Sequence, residues 1–269
     1  MSNAILIPFL KWAGGKRWLL QHPQFQVPKF DGRYIEPFLG SASMFFALRP
    51  RSAILSDVNQ ELITVYQALR EQPDLVYRYL RVHAQKHSKA YYYDVRDHVT
   101  PTSIPAKAAR FLYLNRTCWN GLYRVNLKGE FNVPKGTKSS VLLDTDDFIG
   151  VSEALKSATL LCSDFAPVIE MAGKGDLVYA DPPYTVHHNL NGFIKYNEVL
   201  FSWQDQERLK RSLLKARDRG ATVILSNANH PSVQKLYAGV GRATVLDRRS
   251  VISGKSSGRR VTSELLIRL

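Results

Sequence analysis

Arg33-Tyr34-Ile35-Glu36-Pro37-Phe38-Leu39-Gly40-Ser41-Ala42 is the stretch from which the fold is read. Residues 33–36 have the composition of a short strand. The small residues that follow make a turn, and Met44 to Leu48 continue as an apolar helix. Ala53-Ile54-Leu55-Ser56 then reads as a second buried strand, ending at Asp57. Strand, turn, helix and strand in that order form the repeating unit of an α/β sheet. A Gly turn followed about twenty residues later by a strand-end acid is the general logic of a nucleoside site. The turn lets a ligand approach the backbone, and the carboxylate accepts from ribose hydroxyls.

Working outward, the same pattern returns three times. Residues 159–162 form a strand ending at Ser163-Asp164-Phe165. Residues 177–180 form another, ending at Asp181, and residues 222–225 a third, ending at Ser226-Asn227. Residues 61–69 and 204–217 have helical spacing, the second strongly amphipathic. The tail, residues 243–251 and 263–268, reads as a hairpin around a basic Gly-Ser loop. Glu36, Asp57, Asp164 and Asp181 thus fall at the carboxyl ends of strands, where open α/β sheets bind ligands. Any one of them could be a helix cap; four at one edge of a sheet favour a ligand site. No Gly-x-Gly-x-x-Gly and no Walker-type Lys-Ser/Thr occurs, so a phosphate cradle is not expected.

Asp181-Pro182-Pro183-Tyr184 is the most specific signal. A given tetrapeptide turns up by chance in roughly one chain in several hundred of this length. An exocyclic amine on a nucleobase is a poor nucleophile because its lone pair is delocalised into the ring. A carboxylate and a nearby main-chain carbonyl can accept both of its N–H bonds and draw that lone pair out of conjugation. Two prolines hold the backbone rigid and leave carbonyls without local partners. Tyr184 can stack on a base flipped out of a duplex.

The chain has 37 Lys and Arg against 23 Asp and Glu, a net charge of +14. Such a surplus points to a polyanionic partner. Cys118 and Cys162 form no Cys-x-x-Cys pair, and the seven His lack zinc-like spacing, so no metal is expected. No signal peptide and no membrane-length apolar run is visible, which fits a cytoplasmic protein. Between the second and third strands, residues 73–146 are helix-like and rich in Tyr, Arg and Asn. No short connection needs that much chain. The expected organisation is a catalytic domain at 1–72 and 147–269, with an inserted subdomain at 73–146.

Together these motifs resemble the Dam-type DNA adenine methyltransferases over nearly the whole chain. Phe9-Leu10-Lys11-Trp12-Ala13-Gly14-Gly15-Lys16 is similar to that family's N-terminal cofactor motif. Tyr34 to Ser41 is similar to its Gly-loop motif, and Leu55-Ser56-Asp57-Val58-Asn59 to its ribose-binding strand. Leu112 to Arg124, continuing to Phe131-Asn132-Val133-Pro134, is similar to its DNA-recognition segment. The order, cofactor loop, recognition domain, catalytic tetrapeptide, is also the family's.

The resemblance implies a Rossmann-like S-adenosylmethionine-dependent fold, with an inserted and mainly helical recognition subdomain containing a β-hairpin. It implies methyl transfer to adenine N6 in double-stranded DNA, with S-adenosylhomocysteine as the other product. Trp12 and Lys16 would border the cofactor pocket, and Glu36, Phe38, Gly40 and Ser41 would face the methionine part. Asp57 would take the ribose hydroxyls. Asp164 and Phe165 would hold the cofactor adenine, with Phe165 packing on the ring. Asp181 would contact the target amine and the cofactor amine, and Tyr184 would stack on the flipped adenine. Arg124 has the chemistry for bidentate contact with guanine O6 and N7. Trp119 and Asn120 would fill the space left by the flipped base, and Leu122 and Pro134 would touch thymine methyls. Arg116, Asn126 and Asn132, with Lys135 and Lys138, are candidates for DNA-backbone contact. Arg248, Arg249, Lys255, Arg259 and Arg260 suggest a further phosphate-binding strip. GATC is the expected site and a monomer the expected state. Relatives that methylate cytosine N4 usually carry Ser in place of Asp181. An inactive DNA-binding relative is the other alternative, with Ala42 in its favour because many relatives carry Gly there.

Overall fold

A computed structural model describes residues 6–126, 128–185, 201–249 and 261–269. Along the chain, β1 (Tyr34–Glu36) leads into α1 (Ser43–Leu48), β2 (Ala53–Asp57) and α2 (Gln60–Glu71). Then follow α3 (Pro73–Lys86), α4 (Lys89–Asp97), α5 (Ile104–Thr117), α6 (Phe148–Leu155) and β3 (Ala158–Cys162). The remainder is α7 (Phe165–Glu170), β4 (Leu177–Ala180), α8 (Trp203–Asp218), β5 (Thr222–Ala228), α9 (Pro231–Tyr237), β6 (Arg242–Arg249) and β7 (Val261–Arg268). The strands expected from the sequence appear within a few residues of their expected ends. The short α7 and α9 were not expected.

The chain divides into two compact units. The first comprises residues 1–20, 39–51 and 57–162, and the second residues 21–38, 52–56 and 163–269. Six of the seven strands of the sheet lie in the second unit, in the order β2-β1-β4-β5-β7-β6. β1 is parallel to β2 and β4, and β4 is parallel to β5. β7 is antiparallel to both β5 and β6, forming the expected C-terminal hairpin. β4 is buried along its whole length, as a parallel strand covered on both faces should be. Asp176, just before β4, fixes Arg33, just before β1, by accepting from its backbone N–H at 2.6 Å and from its guanidinium at 2.7 Å. The carboxyl ends of these parallel strands are therefore in a fixed register.

In the first unit, Phe9 packs edge-on against Phe46 of α1, Tyr66 of α2 and Phe148 of α6. α5 packs against both α2 and α3, so the helices at 73–117 share the first unit's core. Local caps start the helices: Asn59 accepts from the Leu62 N–H to begin α2, and Ser88 from the Tyr91 N–H to begin α4. The Tyr91-Tyr92-Tyr93 run packs inside this helical group: Tyr92 is buried, and Tyr91 lies edge-on to Tyr113. After α5 the chain turns back at Arg124 to Asn132, with Val125 and Phe131 paired in an antiparallel bridge. Among the described residues no helix is long and apolar enough to cross a membrane.

Candidate active site

In the first unit the Gly turn is pinned from three directions. The Gly40 N–H donates to Asp57 Oδ2 at 3.1 Å, and the Tyr66 hydroxyl donates to the Gly40 carbonyl at 2.8 Å. Gly40 has φ of +47°, and a Cβ there would come 2.8 Å from Trp12 Cδ1. Both conformation and space therefore require glycine. Trp12 is held in turn by stacking on Phe111 and Tyr123, with ring centroids 6.3 and 5.7 Å away. Ser41, beside this turn, bonds Ser43 at 2.8 Å. Lys16 is buried and donates to the Gly14 carbonyl at 2.6 Å.

Asp57 also accepts from the Asn59 N–H at 3.0 Å. It bonds the Val58 N–H as well, so of a carboxylate's about four acceptor sites one remains for a ligand hydroxyl. Burial pushes the Asp57 carboxyl above its ordinary range, and the N–H groups of Asn59 and Gly40 partly offset that. Ala42, at the start of α1, has φ of 53° and ψ of 29°. This is left-handed backbone, which favours glycine.

In the second unit, Asp164 caps α7 by accepting from the Ala166 N–H at 2.9 Å. It also takes a two-point ion pair from Arg208 of α8, at 2.6 and 2.8 Å, which holds its carboxyl below the usual range. The Arg208 guanidinium lies 4.1 Å from the centroid of the Phe165 ring. Phe38 stacks on the same ring at 5.4 Å, with Phe201 at 5.6 Å. Phe165 is only 3% exposed, so packing on a ligand's ring requires one of these covers to turn away.

The tetrapeptide follows β4 directly, with Pro182 buried. Thr185 anchors its far end by donating to the Phe201 carbonyl. Side chains alternate across a sheet, so the register puts Tyr34, Glu36, Tyr179, Ser226 and Glu264 on one face. The Tyr34 hydroxyl donates to Glu36 Oε2 at 2.9 Å. Burial pushes the Tyr179 phenol well above its ordinary value, helped by the nearby carboxylates of Asp181, Glu36 and Glu264. Tyr184 is raised well above its ordinary value for the same reasons, burial first and then Asp181 and Glu264. The Tyr184 hydroxyl lies 3.5 Å from Ser226 Oγ, which donates to Glu264 Oε2 at 3.3 Å. Asp181 thus follows a buried, acceptor-rich row of side chains.

Several sequence expectations fall differently. Arg116 is 1% exposed, and its guanidinium is spent on Asp146 at 2.7 and 2.6 Å and on the Phe9 and Val141 carbonyls. It is a core ion pair and cannot reach a phosphate. Asn126 is built into a turn, accepting from the Lys128 and Glu130 N–H groups. Asn132 accepts from Arg124 Nε at 2.8 Å. Arg124, Trp119, Asn120, Pro134 and Lys138 are exposed, and Leu122 and Lys135 half-buried. Lys255, Arg259 and Arg260, and the side chains of Arg248 and Arg249, lie outside the described residues. Sequence reasoning missed Arg208, Tyr66 and Glu264. Only Glu264 left a signal, an acid inside the apolar run Glu264-Leu265-Leu266-Ile267.

Parallel strands, one of them ending directly in Asp181-Pro182-Pro183-Tyr184, fit an amino-directed methyltransferase of the α/β class. The chain belongs to the D12 class N6 adenine-specific DNA methyltransferase family, whose model matches residues 12–251. It is 36% identical to the type II methyltransferase M1.LlaDCHI of Lactococcus lactis subsp. cremoris, over 97% of this chain and 95% of that protein. It is 36% identical to the type II methyltransferase M.MjaIII of Methanocaldococcus jannaschii, over 91% and 92%. It is 34% identical to the DNA adenine methylase of Serratia marcescens, over 96% of each. The chain is a DNA adenine-N6 methyltransferase that uses S-adenosylmethionine, and DNA is its substrate.

Proposed function

We propose that this enzyme flips an adenine out of duplex GATC and methylates it at the tetrapeptide, working as a monomer. The observation that carries this reading is the position of Asp181, directly after a fully buried strand and beside the polar row. S-adenosylmethionine, when bound, supplies an electrophilic methyl on a sulfonium. The residues present fit such a group: Asp57 keeps one acceptor site for a ribose hydroxyl, and Asp164 keeps one for the adenine amine. Glu36, Phe38, Gly40 and Ser41 take the methionine part, and Trp12 and Lys16 border it.

Asp181 accepts one N–H of the target amine, and a main-chain carbonyl of the Pro182-Pro183 turn accepts the other. Tyr184 stacks on the extruded base. Residues 73–146 form the inserted target-recognition subdomain. Within it Arg124 reads a guanine. Its guanidinium is already oriented by the Asn132 side chain at 2.8 Å and carbonyl at 3.3 Å, which leaves Nη1 and further N–H groups for a base edge. Trp119 and Asn120 fill the vacated space, Leu122 and Pro134 meet thymine methyls, and Lys135 and Lys138 contact the DNA backbone.

The test uses labelled S-adenosylmethionine and two unmethylated duplexes, with and without GATC, digested to nucleosides after reaction. Label is expected in N6-methyladenine from the GATC duplex alone. Arg124→Ala should cost roughly 1–3 kcal/mol of discrimination at one base pair. Equal labelling of both duplexes would discard GATC, and full discrimination by Arg124→Ala would discard Arg124 as its reader.

A further inference from the structure

Glu264 is an acid in the middle of β7, and it is 5% exposed. Its neighbours Leu265, Leu266 and Ile267 are buried and apolar. A buried carboxylate is costly unless its oxygens are hydrogen-bonded. Glu264 has such a bond, from Ser226 Oγ on the adjacent strand at 3.3 Å. Ser226 is in turn 3.5 Å from the Tyr184 hydroxyl.

The chemistry of the three groups orders this chain. An ionised carboxylate only accepts, whereas a hydroxyl has one proton and two lone pairs. Tyr184 also bonds Glu264 itself, and because a carboxylate only accepts, the phenol is the donor in that bond. Tyr184 therefore directs its O–H toward β7. The phenol keeps that proton far into the alkaline range, since burial and the carboxylates of Asp181 and Glu264 oppose its loss.

We propose that Glu264 is a positioning residue for methyl transfer: directly and through Ser226 it anchors the Tyr184 hydroxyl, and with it the placement of the ring on which the target base stacks. This inference rests on the reading of Tyr184 as the stacking residue. In this role Glu264 acts on the base by way of Tyr184. The phenol oxygen lies on the long axis of the ring, so holding it fixes where that axis points and keeps the side chain from swinging about Cα–Cβ. A side chain left to swing would still be aromatic and apolar, but it would occupy the stacking position only part of the time.

The test measures base flipping and chemistry separately, on the full chain with S-adenosylmethionine and DNA. Flipping is read from the fluorescence of a duplex carrying 2-aminopurine in place of the target adenine. Chemistry is read as single-turnover methyl transfer to the unmodified duplex. Glu264→Gln should keep the wild-type melting temperature and affinity for S-adenosylhomocysteine. Its flipping signal should fall and its transfer rate drop about tenfold, the order expected for losing a hydrogen bond to a charged group. Ser226→Ala, which leaves the direct Tyr184–Glu264 bond in place, should cost less. Tyr184→Phe, which keeps the ring and loses the hydroxyl, should cost a similar factor. Adding Glu264→Gln to Tyr184→Phe should cost nothing more, because both changes cut one connection.

The proposal is overturned if Glu264→Gln transfers methyl at the wild-type rate. It is overturned equally if its cost multiplies with that of Tyr184→Phe, or if its loss follows a fall in melting temperature, since strand packing then explains it. Tyr184→Ala separates the two levels. If that variant flips and methylates like wild type, the stacking role itself is wrong. If it fails while Glu264→Gln does not, stacking stands and Glu264 is not its anchor.

Discussion

Ala42 shows how the cofactor loop departs from what its own residue types prefer. Its left-handed backbone costs roughly 1–2 kcal/mol for a residue with a Cβ, while glycine's larger chain entropy costs roughly 0.5–1 kcal/mol. The difference predicts that Ala42→Gly stabilises the protein by about 0.5–1 kcal/mol, measured by urea denaturation. A destabilised variant would mean that the buried methyl contributes more by packing than the strain costs. Strained backbone of this kind persists where surrounding structure over-determines it. Here the turn is closed by the Ala42 N–H donating to the Leu39 carbonyl at 2.8 Å. Asp57 carries a second residue-scale prediction. Its folded-state carboxyl lies above the ordinary value of 3.8. The folded apo protein therefore holds this proton more tightly than the unfolded chain does, and Asp57's contribution to apo stability improves as pH falls. Ribose binding needs the ionised form, so affinity moves the opposite way. Calorimetric titration with S-adenosylhomocysteine should show affinity falling on acidification before an ordinary aspartate would titrate. Asp57→Asn should bind weakly and lose that dependence; a flat wild-type profile would remove Asp57 from the ribose site.

Among the elements, α3, α4 and α5 meet in a polar aromatic cluster that titrates. His83 stacks on Tyr113 at 4.8 Å and bonds the Tyr91 hydroxyl at 2.9 Å, while His87 bonds the Tyr113 hydroxyl at 2.9 Å. Burial lowers His83 to about 4, with Arg110 and Lys86 adding repulsion. The unfolded chain takes up this proton near 6.5 and the folded one only near 4, so stability present above pH 6.5 is lost as pH falls between those values. The loss is at most roughly 1.4 kcal/mol per pH unit. Melting temperatures from pH 7.5 to 5 should fall, and His83→Gln should flatten the slope. An unchanged slope in that variant would place the acid sensitivity elsewhere. At this scale the sequence was uneven in what it disclosed. β4 and α8 were legible because a four-residue apolar run and a 3.6-residue period are local patterns. The short α7 and α9 have too few turns to show a period. Each begins at a cap, Asp164 and His230, that reads in sequence as an ordinary strand-end or loop residue.

For the whole molecule, the parts of the site that were legible are those contiguous in sequence: the Gly turn, Asp57 and Asp-Pro-Pro-Tyr. Those that were not depend on distant partners. Arg116 sits in a basic segment and reads as a phosphate ligand, yet Asp146, thirty residues on, claims it. Glu264 comes near Tyr184 only through the antiparallel return of β7 onto β5. The net charge of +14 speaks to DNA as partner but does not locate the contact surface. The central proposal is that Asp181, half-buried at the carboxyl end of β4, holds the target amine for transfer. Single-turnover methyl transfer by Asp181→Ala, at saturating S-adenosylmethionine and GATC duplex, tests it most directly. The expected result is a loss on the order of a thousandfold or more, the scale of removing one preorganised electrostatic group, with duplex affinity retained. Transfer within a few-fold of wild type would contradict it.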